Sequence, residues 1–122
     1  MMMTNPNFWQ DMSELAKAGR ILLDRPLGSV HARYPDLIYP LDYGYLENTS
    51  AGDGDGMDVW IGSRIEKTLT GILCTFDRLK RDAEIKLLIG CTPEDIETIR
   101  GFNSAMSTLF IPNPMVEDDL SD

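Results

Sequence analysis

Apolar residues along the chain recur in two rhythms. Between about Pro6 and Ala18, Phe8, Met12, Leu15 and Ala16 follow at spacings of 4, 3 and 1, with Trp9 beside them, the stripe of an amphipathic helix. Asn5 suits the cap of that helix, Pro6 its first position and Gly19 the position just past its end. The stripe reads as a helix packed on the core, with an oligomer contact through Phe8 and Trp9 as the alternative. From Arg20 the apolar runs shorten, and Ile21–Leu23, Tyr43–Leu46, Met57–Ile61, Leu69–Phe76 and Ile85–Ile89 read as strands. Asp24 to Ser29 and the pairs Tyr34-Pro35 and Tyr39-Pro40 impose turns and extended backbone, which predicts a long ordered loop with aromatic anchors. Thr92 as cap, Pro93 at the first position and Glu94 and Asp95 in the first turn predict a second helix with Ile96, Ile99 and Phe102 facing inward. Met106–Ile111 is a candidate last strand, and 77–84 reads as a charged, exposed link between two strands. Short strands, mostly antiparallel and broken by turns, with a helix on each side, predict a small α+β domain around a curled sheet or barrel.

The 122 residues suit a single domain over 1–112, followed by a mobile acidic tail at 113–122 that holds Glu117, Asp118, Asp119 and Asp122. With 20 Asp+Glu against 11 Lys+Arg, the formal charge is −9. That balance argues against a nucleic-acid partner and against an anionic membrane surface, both of which need a basic face. An anionic substrate would have to be held by metal ions or a local cluster of Arg and Lys. No run of about 18 apolar residues occurs and the first residues lack a secretory pattern, so a cytoplasmic protein is expected. Cys74 and Cys91 lie in or beside apolar runs and read as free buried thiols, too few for a metal site.

Candidate chemistry concentrates in Asp53-Gly54-Asp55-Gly56-Met57-Asp58. In extended backbone Asp53 and Asp55 point the same way, and the two glycines let the chain bend Asp58 toward them. Three converging carboxylates repel unless a hard cation sits among them, and oxygen-only ligands favour Mg²⁺, Mn²⁺ or Ca²⁺ over Zn²⁺. An EF-hand is excluded because Met57 and Asp58 stand where that loop needs an oxygen ligand and a glycine. The same residues are also those of an ordinary solvated turn, and the motif alone leaves both readings open.

Read together, Asp24-Arg25-Pro26 with Gly28-Ser29, Tyr39-Pro40-Leu41-Asp42-Tyr43-Gly44-Tyr45, and Asp53-Gly-Asp-Gly-Met-Asp58-Val59 resemble, in content and order, the family I soluble inorganic pyrophosphatases, and in particular a short branch of pyrophosphatase-like proteins. The resemblance implies an OB-like five-stranded antiparallel β-barrel, here with an N-terminal and a C-terminal helix, and Mg²⁺-dependent hydrolysis of pyrophosphate to two phosphates, with Mn²⁺ as the other candidate metal. It assigns Asp53, Asp55 and Asp58 to the metals, with Asp55 also as base toward water. It assigns Arg25 to phosphate, Tyr43 to the edge of the metal site and Tyr39 to the same wall. The family's later Asp-x-Lys spacing is matched by Glu84-Ile85-Lys86 with Glu in place of Asp, which implies a metal-binding Glu84 and a phosphate-binding Lys86; the preceding metal acid is Asp77 or Asp82, with Asp82 taken as the candidate.

The chain departs from the family pattern in four further places. A helix with only Glu14 and Lys17 stands where an N-terminal strand with Lys and Glu is usual. Asp42 replaces Asn, Gly56 replaces Pro, and the later Tyr-Lys pair has no counterpart between Thr92 and Ile111. The partner expected is a small phosphoanhydride; a metal- and phosphate-binding module without turnover is the alternative, and a plain acidic turn is the third reading. For Lys86 the competing role is a surface lysine, and for Arg78, Lys80, Arg81 and Asp82 a solvated hairpin tip. His31, the single histidine, could pass a proton, contact phosphate or serve only the loop.

Overall fold

A computed structural model of the chain describes residues 6–52 and 54–116; the expected cap Asn5, the candidate ligand Asp53 and tail residues 117–122 lie outside them. Pro6 opens helix α1 (Pro6–Ala18), and Gly19 closes it by donating its N–H to the Leu15 carbonyl at 2.8 Å. A Cβ at Gly19 would lie 2.9 Å from that carbonyl, so the position requires glycine. The buried face of α1 is rotated from the expected one. Trp9, Met12 and Ala16 face the core, while Phe8 and Leu15 remain exposed, because this setting buries the largest ring.

Six strands follow: β1 (Ile21–Arg25), β2 (Asp42–Leu46), β3 (Asp58–Ile61), β4 (Leu69–Asp77), β5 (Asp82–Ile89) and β6 (Ser107–Pro112), with α2 (Pro93–Phe102) between the last two. They form one sheet in the order β1-β2-β3-β5-β4-β6, antiparallel throughout except for the parallel pair β3–β5. The α+β class with two helices holds. The expected five-stranded antiparallel barrel does not form: the sheet has a sixth strand, one parallel pair, and β1 and β6 as its two edges. The physical reason is that β6 pairs beside β4 and turns the β4–β5 hairpin so that β5 meets β3.

Period-2 alternation sorts the central strands onto two covered faces. Val59, Leu87 and Ile72 pack with Trp9 of α1, while Trp60, Leu88 and Leu73 pack with Ile96 and Ile99 of α2 and with Tyr39 from the loop at 26–41. Burial on both sides explains why these strands read as continuous apolar runs. Thr92 and Asp95 form the expected capping box on α2, at 3.0 and 2.9 Å. The Asp95 carboxylate also accepts the backbone N–H and the hydroxyl of Ser63, at 2.8 and 2.9 Å, which ties α2 to the end of β3. Burial pushes the Asp95 carboxyl up, but these hydrogen bonds outweigh it and hold the group below its ordinary range.

Among the described residues, no helix is long and apolar enough to cross a membrane. Cys91 is fully buried and Cys74 partly so, both unpaired. Burial first, and the nearby Asp95 charge second, push the Cys91 thiol up to about 12.

Candidate active site

Strand register alone gathers most of the candidate residues on one sheet face. Arg25 stands opposite Tyr43, and Tyr43 opposite Trp60. Asp58 lies two residues before Trp60 on the same face, and Glu84 and Lys86 lie on that face of β5 ahead of Leu88, the partner of Trp60. Thr75 and Asp77 of β4 stand opposite Glu84 and Asp82. A register shift between Leu23 and Arg25 carries β1 two residues past its expected end and sets Arg25 in this row.

At the centre lies Lys86. Its ammonium donates to the Tyr43 hydroxyl at 3.0 Å, to Asp58 Oδ2 at 3.1 Å and to Glu84 Oε1 at 3.0 Å, and sits 5.4 Å from the Tyr43 ring centre. The residue is only 7% exposed, so it is not a surface lysine. Burial opposes the ammonium, yet the facing Tyr43 hydroxyl and the Asp58 and Glu84 carboxylates prevail and hold it above the ordinary lysine range. Burial likewise pushes the Tyr43 phenol up, with Lys86 opposing and Asp58 reinforcing. At neutral pH the cluster is therefore one cation between two carboxylates with a neutral hydroxyl beside them.

The other candidates are placed around it. Arg25 hydrogen-bonds the Tyr39 phenol, which burial pushes up and Arg25 pulls down; Tyr39 packs 5.6 Å from Tyr43 between ring centres. Asp82 is exposed on the lip of two cavities that meet at Asp82 and Glu84. One, of about 560 Å³, lies against Ser50, Ala51, Gly52 and Asp58; the other, of about 430 Å³, runs from Glu84 and Lys86 to His31 and Tyr34. Asp77 lines the second cavity, and its Oδ1 accepts the N–H groups of Leu79 and Lys80, which organises the hairpin turn. Arg78, Lys80, Arg81 and Asp82 are exposed, as a hairpin tip requires. Asp55 is exposed in the turn before β3, outside the lining of both cavities. Among the described residues, no three Asp, Glu, His or Cys side chains group as a ready-made metal centre.

The donor chemistry nonetheless suits a hard divalent cation. Asp58 and Glu84 are anionic oxygen donors that already converge on one positive charge, and Asp82 lines the same cavity.

Three contributors were not legible in the sequence. Asp42, seen there only as a replacement for Asn, accepts the Leu27 N–H at 2.8 Å and closes the base of the 26–41 loop. Trp60 is 1% exposed, its indole N–H has no partner among the described residues, and it lines the second cavity. Phe102 reaches from α2 to pack 4.7 Å from Tyr39 and 5.4 Å from Trp60. His31 accepts the N–H groups of Arg33 and Tyr34 on Nδ1, at 3.0 and 3.2 Å, so it does serve the loop.

Fold and site together define a small α+β domain whose sheet face carries a buried ammonium–carboxylate cluster beside two open cavities. No family model matches the chain. It is 35% identical to the inorganic pyrophosphatase of Leifsonia xyli subsp. xyli (strain CTCB07), over 57% of this chain and 44% of the relative. It is 36% identical to the inorganic pyrophosphatases of Geobacillus stearothermophilus and of Bacillus sp. (strain PS3), over 63% of this chain and 46% of each. The chain thus spans less than half the length of these curated relatives. A crystal structure described as an inorganic phosphatase from Anaplasma phagocytophilum is similar at a TM-score of 0.49 and 16% identity, covering 75% of this chain and 81% of that one. On the sequence relationships, the chain is similar to inorganic pyrophosphatases over part of their length.

Proposed function

We propose that the chain is a Mg²⁺-dependent phosphoanhydride hydrolase, with inorganic pyrophosphate as its simplest substrate. The observation that carries this reading is the Lys86 cluster: a buried ammonium between Asp58 and Glu84, with Lys86 lining one cavity, Asp58 the other and Glu84 both. The relatives named inorganic pyrophosphatase support it.

In this reading Asp58, Glu84 and Asp82 hold the cation together with Asp53 and Asp55 from the preceding turn. Bound there, Mg²⁺ supplies charge neutralisation and a water acidic enough to attack near neutral pH. Lys86 binds phosphate oxygen as a point charge, and its hydrogen bonds to two acids fix its position before substrate arrives. Arg25 offers a guanidinium fork to the same anion, and Tyr39 holds that fork in the row of strand β1. Tyr43, kept neutral, donates rather than competes for a proton. Asp55 accepts the proton released from the attacking water. Catalysis is then mostly placement and electrostatics, as phosphoryl transfer requires.

The test is phosphate release from pyrophosphate by the purified chain with and without Mg²⁺. Steady Mg²⁺-dependent release, abolished in Asp55→Asn and Asp58→Asn and weakened in Arg25→Ala, is the expected result; no release from pyrophosphate or any other phosphoanhydride defeats the proposal. A second reading, binding without turnover, is favoured by the exposed placement of Asp55 away from both cavities. Calorimetry separates the two, since Mg²⁺-dependent phosphate binding in a chain that releases nothing supports the second.

A further inference from the structure

The cavity beside Lys86 has a second end that an inorganic anion does not use. A row of rings leads outward from the ammonium: Tyr43 at 5.4 Å from Nζ, Tyr39 at 5.6 Å from Tyr43, His31 parallel to Tyr39 at 6.0 Å, and Tyr34 at 5.2 Å from His31. All four rings line the same cavity; Tyr39 is buried, Tyr43 and His31 are partly buried, and Tyr34 is 53% exposed. At about 430 Å³ the space is of the size that takes an organic ligand, well beyond the need of pyrophosphate. Charge is distributed to match. Arg33 and Lys80 line the same cavity, and among the described residues neither has an ion-pair partner. Because Nδ1 of His31 accepts two backbone N–H groups, its proton sits on Nε2, a donor left available to a ligand. The cavity therefore offers an ammonium suited to phosphate, rings suited to a flat ligand, and two further cations on its lining.

We propose that the substrate is a nucleoside diphosphate, its terminal phosphate at Lys86 and its base against Tyr34 and His31. The inference rests on the hydrolase reading above and narrows its substrate class. In the reaction a water oxygen bonds to the terminal phosphorus and the bridging P–O bond breaks. Its electron pair leaves with the bridging oxygen on the nucleoside monophosphate, and one water proton passes to solvent. Products are a nucleoside monophosphate and phosphate.

The test compares ADP with pyrophosphate, as substrates with Mg²⁺ and as ligands by calorimetry. ADP is expected to bind and to be cleaved. Tyr34→Ala should lower the preference for ADP over pyrophosphate about tenfold through KM, within the range that base–aromatic stacking commands, and Tyr34→Phe should keep it. Tyr34 is exposed, so neither variant threatens folding, and Ile65→Ser, at a residue 98% exposed and remote from the cavity lining, serves as the unchanged control. Pyrophosphate cleavage with no binding of ADP overturns the ring site and leaves the hydrolase standing. Tyr34-dependent ADP binding with no cleavage of either compound supports the ring site and overturns hydrolysis. Neither binding nor cleavage overturns both, and ADP cleavage indifferent to Tyr34→Ala overturns the assignment of the base.

Discussion

Replacing Lys86 by Met keeps most of the aliphatic stem and removes the charge. The variant leaves Asp58 Oδ2 and Glu84 Oε1, each about 3 Å from the lost ammonium, within about 6 Å of one another. Two like charges at that distance cost roughly 1 to 3 kcal/mol for an effective dielectric of about 20 to 60. The lost charge-assisted hydrogen bonds add little, because the two carboxylate side chains are 30% and 38% exposed and water replaces the ammonium. Sparing the desolvation of a buried cation offsets part of the cost. A net loss of about 2 kcal/mol at pH 7 follows, near 8 °C in melting temperature for a domain of this size. The assay is thermal or urea unfolding of both proteins at pH 7 over a range of salt concentrations. The wild-type ammonium is held above its ordinary range and stays charged at this pH. Salt screens the repulsion in the variant and the bridges in the wild type, so the gap should shrink as ionic strength rises. Adding Glu84→Gln to the variant should recover more than half the loss. A gap that is constant with salt, or a double variant no more stable than the single one, refutes the electrostatic account.

Asp95→Asn should cost about 2 kcal/mol at pH 7, since it weakens a helix cap and the Ser63 tether together. The native carboxyl is held below its ordinary range, so the wild-type advantage is full above about pH 4 and vanishes as pH falls through the native value; pH-dependent unfolding curves check it. Native-state alkylation at pH 8, read by mass spectrometry, should modify Cys74 and spare Cys91, whose thiol is buried and raised to about 12; equal labelling contradicts this. Gly44→Ala should cost about 3 kcal/mol or prevent folding, because its Cβ would lie 2.1 Å from the Leu22 carbonyl across the β1–β2 pair; a melting temperature within 2 °C of wild type shows that the strands can part.

What the chain encodes locally was legible. Pro6, Gly19, Thr92 and Asp95 set helix ends through contacts within four residues, and the helix and strand limits fell within a few residues of expectation. The helix face was misjudged at Phe8 and Leu15 because periodicity defines a stripe but not which of two adjoining edges the sheet covers. The β3–β5 pairing was hidden because it depends on β4 and β6, which the local pattern of β3 does not contain. The site divides the same way. Glu84 and Lys86 follow from their spacing, whereas their meeting with Asp58 and Tyr43 depends on the parallel register, and Trp60 and Phe102 join the wall only through packing of α2.

The sheet is two antiparallel three-stranded halves, β1-β2-β3 and β5-β4-β6, stitched along one line where Val59 to Ile61 meet Leu87 to Ile89. Asp58 belongs to the first and Glu84 and Lys86 to the second, with Asp58 and Lys86 28 positions apart in the chain. The charge cluster therefore spans the seam. Each half holds only part of the cluster, which comes into being only when the two are joined. Chemistry at this site thus depends on the seam: with it open, Asp58 would lie on one half, and Glu84 and Lys86 on the other.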